Sequence, residues 1–85
     1  MGKNIHVVGI MVEQRASRAP EVQQVLTRYG GQILSRTGIP DPARRRGIIT
    51  LTVQAEEGDC RRLEADLQQI EGVVVRSVAL GPAVE

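Results

Sequence analysis

Few residues in this 85-residue chain have types and spacings that could carry chemistry. There is one histidine, His6, and one cysteine, Cys60. A zinc-type metal centre draws on three or four converging His, Cys or carboxylate ligands, and an iron–sulfur cluster on several thiolates. One chain offers neither set, so no metal and no cofactor are expected. Copies of His6 from several subunits could still meet at a symmetry axis. A lone thiol also rules out an internal disulfide. Nucleophilic catalysis needs a nucleophile, a base and a group that orients the base. Ser17, Ser35 and Ser77 have a single histidine to share, and none lies in a recognisable elbow motif. The carboxylate pairs Glu56–Glu57 and Glu64–Glu71 read as solvated turn and helix charges.

The arginines carry more promise. Arg44-Arg45-Arg46 is a basic run in a polar loop, a pattern that is usually just solvated. The chain has 11 Lys+Arg against 10 Asp+Glu, a net charge of +1, so it projects no field toward nucleic acid or anionic lipid. With one Tyr and no Phe or Trp it cannot stack bases on sheet aromatics. Direct nucleic-acid binding is therefore not expected. Arg36 and Arg76 fall on strands. If both emerge on an open sheet face, fixed guanidinium groups at a subunit seam could hold a carboxylate or a phosphate. The plainer reading is an ordinary salt bridge.

The elements that must position these groups follow from periodicity. Ile5, Val7, Val8, Ile10, Met11 and Val12 crowd into a strand that is apolar on both sides, as in the middle of a sheet. Residues 14–19 are polar and loop-like; Ser17 then caps a helix with Pro20 in its first turn. Val22, Val25, Leu26 and Tyr29 recur at i, i+3, i+4 and i+7, one helical face. Gly30-Gly31 ends the helix in a left-handed cap. A weaker strand runs over 33–39, broken by Gly38, Pro40, Asp41 and Pro42. A third covers 48–55, rich in β-formers. Asp59 caps a second helix with Cys60, Leu63, Leu67 and Ile70 as its buried stripe and an Arg62–Asp66 pair outside. Gly72 ends it, and 73–80 is the last strand.

The order is β-α-β-β-α-β, and it repeats. A shift of 41 residues lays Val8, Ile10 and Val12 on Ile49, Leu51 and Val53, and Val22, Leu26 and Tyr29 on Leu63, Leu67 and Ile70. Gly31 falls on Gly72 and Ile33 on Val74. Two β-α-β units make an α+β, ferredoxin-like sandwich: a four-stranded antiparallel sheet with two helices on one face. Residues 1–85 are read as a single domain with a core of about 3–80. If Val8, Ile10 and Val12 face the helices, then Ile5, Val7, Met11, Ile48 and Thr50 face away, with nothing left to cover them. Such a strip suggests self-association into a dimer or tetramer. The start of the chain has no secretory h-region and no apolar run reaches membrane-spanning length, so a cytoplasmic location is expected.

The same topology occurs in acylphosphatases, which cradle phosphate in a loop after strand one. Here that loop is Glu13-Gln14-Arg15-Ala16-Ser17-Arg18, with arginines but no glycine, and the only asparagine is Asn4. A closer resemblance lies in VLTRYGGQILSRTGIP (25–40), GIITLTVQAEEGD (47–59) and IEGVVVRSVAL (70–80). Together these resemble a family of proposed iron-only ([FeFe]) hydrogenase system regulators. They are ACT-like domains related in shape to the C-terminal domain of nickel-responsive repressors. The resemblance implies regulation without catalysis, linked to hydrogenase expression or assembly. It also departs from its wider relatives. Amino-acid-binding ACT domains carry a glycine where this chain has 15–18, and nickel-responsive domains have several histidines.

The function expected is therefore a non-enzymatic, ACT-like homo-oligomer that senses a small-molecule effector or docks on a protein partner. Ligands of such domains lie near the first loop and helix, which singles out Arg15 and Ser17, with Arg36 behind them. The alternatives are a pure interaction domain without ligand and an acylphosphatase-like hydrolase.

Overall fold

The alternating β-formers at 4–12 and 46–55 place two strands side by side at the centre of a sheet, and the halves fold around them. A computed structural model describes residues 2–41, 43 and 45–83. Its elements are β1 (Asn4–Val12), α1 (Arg15–Arg28), a 3-10 turn at Gly30–Gln32, β2 (Ile33–Asp41), β3 (Arg46–Ala55), α2 (Glu57–Gln68) and β4 (Val73–Pro82). The strand order is β2-β3-β1-β4, with every neighbouring pair antiparallel. This is the expected ferredoxin-like α+β architecture.

One core joins the two halves. Val8, Ile10 and Val12 of β1, Leu51, Val53 and Ala55 of β3, and Val73 and Val75 of β4 meet Val22, Val25 and Leu26 of α1 and Cys60, Leu63 and Leu67 of α2. The parity assigned from the repeat holds throughout β1 and β3: alternate side chains go under the helices and the rest go to the opposite face. Burying each of the large aliphatics contributes about 1.5–3 kcal/mol, which makes this stripe the main stabilising element.

Several local expectations need correction. Ser17 caps nothing: α1 begins two residues earlier, and Pro20 lies inside it. The start is fixed instead by Gln14, whose φ of 50° is left-handed and whose carbonyl accepts from the N–H groups of Ser17 (2.9 Å) and Arg18 (3.1 Å). The Arg15 N–H donates to the Arg45 carbonyl at 2.9 Å, tying the helix to the β2–β3 hairpin. Gly30-Gly31 forms the 3-10 turn rather than a left-handed cap; the positive φ belongs to Gly72, at 83°. Pro40 and Asp41 continue β2 instead of breaking it, which an edge strand permits because its outward N–H groups need no partner. Arg45 takes the left-handed turn position, with φ 58°. Pro42 and Arg44 lie outside the described residues. Asp59 sits in the first turn of α2, and Glu56 is the cap residue. Arg62 pairs with Asp59, leaving Asp66 to accept from the Tyr29 hydroxyl at 2.7 Å.

Candidate functional site

Arg15 and Arg36, two of the three ligand-binding candidates from the sequence, line one cleft. It has a volume of about 250 Å³ and opens between the first half of α1 and the β2–β3 ribbon. Its floor is apolar, from Val12, Val22 and Ile49; Arg15, Gln23 and Arg36 supply the polar groups. Arg36 reaches this side because of an irregularity in β2. Ile33 pairs with Val53 and Ser35 with Thr52, a register shift that turns Arg36, opposite Leu51, toward the helices. Its Nη1 donates to Gln23 Oε1 at 3.1 Å. Of the two arginines that were to matter if they emerged on the open face, Arg36 does not reach it, whereas Arg76, opposite Gly9, stands on it. Arg15 lies across Gly47: a Cβ there would come within 3.0 Å of Arg15 Cδ. Neither guanidinium belongs to an ion pair among the described residues. Ser17 lines a neighbouring cavity of about 400 Å³ with Gln14, Asp41, Arg45 and Arg46, and Arg15 borders both. There, Arg46 is held by Asp41 at 2.9 Å.

Arg15 and Arg18, in the stretch compared with an acylphosphatase loop, are on a helix. The N–H groups of Arg15, Ser17 and Arg18 already donate to backbone carbonyls, so this stretch forms no acylphosphatase-type cradle.

On the opposite face an apolar row crosses all four strands: Ile39, Ile48, Met11 and Val74 are successive register partners. Ile39 is 58% and Val74 42% exposed. The next row, Thr37–Thr50–Gly9–Arg76, is polar and low. Val7 and Val78 resume the apolar character beyond it. Of the residues expected here, Val7, Met11, Ile48 and Thr50 are half-buried or exposed; Ile5 is covered, at 9% exposure.

Residues 4–77 match the TM1266-like family, described as a proposed iron-only hydrogenase system regulator. The chain belongs to this family. It is similar to the structure of TM1266, an uncharacterized protein from Thermotoga maritima, with 31% identity over 92% of this chain and 98% of that one and a TM-score of 0.88. The C-terminal domain of the MgtC protein from Mycobacterium tuberculosis shares the fold at 16% identity, a TM-score of 0.71, and coverage of 94% and 90%. So does CPII of Thiomonas intermedia K12, a nitrogen regulatory PII-like protein, at 14% identity, TM-score 0.55, and coverage of 93% and 94%. No curated protein matches the chain. Among the described residues no helix is long and apolar enough to cross a membrane.

A second polar cluster in this family member escaped the reading by residue type. His6 is 4% exposed, and its Nε2 is buried with no partner among the described residues. Leaving such a group unsatisfied costs about 1–3 kcal/mol. It lines a cavity of about 280 Å³ under α2, with Cys60, Glu64, Ser77 and Ala79, and with Glu57 and Arg61. Ser77 Oγ donates to Glu64. Burial pushes the Cys60 thiol up from its ordinary value; the Glu64 carboxylate adds to this, against a lowering effect of the neighbouring Ser77. Among the described residues no group of three His, Cys, Asp or Glu is placed to hold a metal. The 41-residue repeat held the signal for this cluster: it carries Ala19 and Gln23, on the cleft wall of α1, onto Cys60 and Glu64.

Proposed function

We propose that this domain is a regulatory module that binds a small anionic effector, a carboxylate with a short aliphatic body, in the cleft of Arg15 and Arg36. The observation that supports it is that two guanidinium groups, in no ion pair among the described residues, line one cleft with an apolar floor. Arginine forks hold carboxylates through paired hydrogen bonds, and an apolar floor favours an aliphatic tail. The family's description supports a regulatory role rather than catalysis, in the setting of iron-only hydrogenase expression or assembly. The domain works as a homo-oligomer, with the Ile39–Ile48–Met11–Val74 row as the buried seam.

Titration with butyrate, followed by backbone amide shifts, tests the cleft. Saturable shifts at residues 15–23, 36–40 and 47–49 are expected, lost in both Arg15→Ala and Arg36→Ala. Equal shifts in the variants sink the reading. Light scattering tests the seam: Ile48→Glu should yield monomers, and an unchanged mass removes this face as the interface. A domain that assembles but takes no butyrate fits the second reading, a pure interaction module, which rests on the same apolar row.

A further inference from the structure

The cavity under α2 is the internal counterpart of the arginine cleft under α1. The 41-residue shift carries Ala19 to Cys60 and Gln23 to Glu64, and it carries His6 to Gly47. The sheet register supplies the remaining matches. Pro40 pairs with Gly47 as Ala79 pairs with His6, and Gly38 pairs with Ile49 as Ser77 pairs with Val8. All five pairs of equivalent positions line their respective cavities. Both sites therefore descend from one geometry, a helix face over the outer strand of its own half and the opposite half's first strand.

Their chemistry is inverted. The first is walled by donors, Arg15 and Arg36. The second is lined by the Glu64 carboxylate and the lone pairs of the Ser77 hydroxyl, and by His6, whose Nε2 is an acceptor when the ring carries its proton on Nδ1. Its one cation, Arg61, is spent on Glu57 at 2.7 Å, and both are exposed to solvent. The buried Nε2 of His6 has no protein partner among the described residues, and in the Nδ1–H tautomer it is free to accept from a ligand's donor. Burial first, and then the carboxylates of Glu64 and Glu57, push the Cys60 thiol up.

We propose that this second cavity binds a small primary alkylammonium ion, whose N–H donors go to His6 Nε2, Glu64 and Ser77 Oγ. His6 then carries its proton on Nδ1, and the alkyl chain lies against Ala79 and Cys60. A tetrahedral ammonium offers three donors and no acceptor, the complement of this wall.

The test uses n-butylammonium chloride with the whole chain, read by amide shifts and by the His6 imidazole ¹⁵N signals. Expected are saturable shifts at residues 57–64 and 77–79 and at His6 Nε2, with millimolar half-saturation. Glu64→Gln keeps the side chain's shape and its Ser77 contact and should weaken binding by about tenfold or more, the size of a lost hydrogen bond to a charged group. Ser77→Ala is the second variant, expected to weaken binding less. Equal binding of n-butanol, unchanged binding in Glu64→Gln, or shifts confined to the Arg15/Arg36 cleft would overturn the proposal. So would Zn²⁺ taking His6 Nε2 and excluding butylammonium, which would make the cavity a metal site. Butyrate binding to the first cleft is read separately in the same spectra, so failure at one site does not bear on the other.

Discussion

Gly47 is the residue that lets Arg15 lie flat over the start of β3, and a double-mutant cycle measures that contact without any ligand. The backbone of Gly47 lies outside the left-handed region, so alanine can adopt it. By itself Gly→Ala at such a site stabilises by about 0.4–1 kcal/mol, through the smaller entropy of the unfolded chain. The new Cβ, however, meets Arg15 Cδ at 3.0 Å, Cγ at 3.4 Å and Nε at 3.6 Å. Side-chain atoms must move, and an off-rotamer arginine costs about 0.5–1.5 kcal/mol. The two effects nearly cancel, so Gly47→Ala alone should leave stability within about 0.5 kcal/mol of the parent. With Arg15→Ala already in place the obstacle is gone, and the same substitution should stabilise by about 0.4–1 kcal/mol. The coupling of about 1 kcal/mol appears as a difference of roughly 0.5–1 M in urea midpoint, at the slopes usual for small domains. Gly47→Ala should also weaken butyrate binding, because it lifts Arg15 off the cleft. Equal effects of Gly47→Ala in both backgrounds would refute the packing of Arg15 on Gly47, and with it the orientation of that arginine.

Other outcomes follow from single contacts. Tyr29→Phe removes the hydroxyl bond to Asp66 and should cost about 1–3 kcal/mol in a urea titration, as expected for a bond to a charged acceptor. That bond, and then burial, raise the Tyr29 pKa above its ordinary 10.0. A raised folded value means the tyrosine's contribution is whole below pH 10 and is lost as pH rises through the folded value, so the parent's advantage over Tyr29→Phe should vanish in strong alkali. Gly72→Ala forces a side chain into φ 83° with its Cβ 3.4 Å from Glu13 Cβ, and thermal unfolding should show a loss of about 1–2 kcal/mol. Because Cys60 is buried with a raised pKa, thiol reagents at pH 8 should label it at least about tenfold more slowly in native than in urea-unfolded protein.

The fold was legible because two periodicities and a repeat agreed. Period-two apolar positions in 5–12 and 48–55 set the faces of the central strands, and the i, i+3, i+4 stripes set those of the helices. Arg36 shows where such reading stops. A strand's parity holds only while its register does, and the shift between Ile33 and Ser35 turns Arg36 to the helix side. That irregularity arises from pairing with β3, which no local pattern in β2 encodes. Ile33, expected to match Val74, matches Val73 in the sheet, because they pair with Val53 and Val12, which the repeat equates. The start of α1 was missed for a related reason: polar residues 15–18 read as loop, yet the Arg45 carbonyl and the left-handed Gln14 add a turn. Arg15 was named from its place near the first loop and helix, and the structure puts it on a cleft wall. His6, Glu64 and Ser77 were judged in separate groups; the 41-residue repeat marks Cys60 and Glu64, and the sheet brings His6 and Ser77 to them.

The two ends of the described chain are neighbours: Asn4 pairs with Pro82, and the Ala83 N–H donates to the Lys3 carbonyl at 2.9 Å. β4 and β1 therefore already form a hairpin without a turn, just as β2 and β3 form one with a turn. Joining the ends with a short Gly-rich loop and cutting the chain at 43–45 would give the order β3-α2-β4-β1-α1-β2. Read along the new chain, that is again β-α-β-β-α-β. Circular permutation here exchanges the roles of the halves and leaves the architecture unaltered. The acceptor-lined cavity would then come first along the chain and the arginine cleft second. Loop-closure entropy grows only with the logarithm of loop length, so the permutant should fold with nearly the parent's stability.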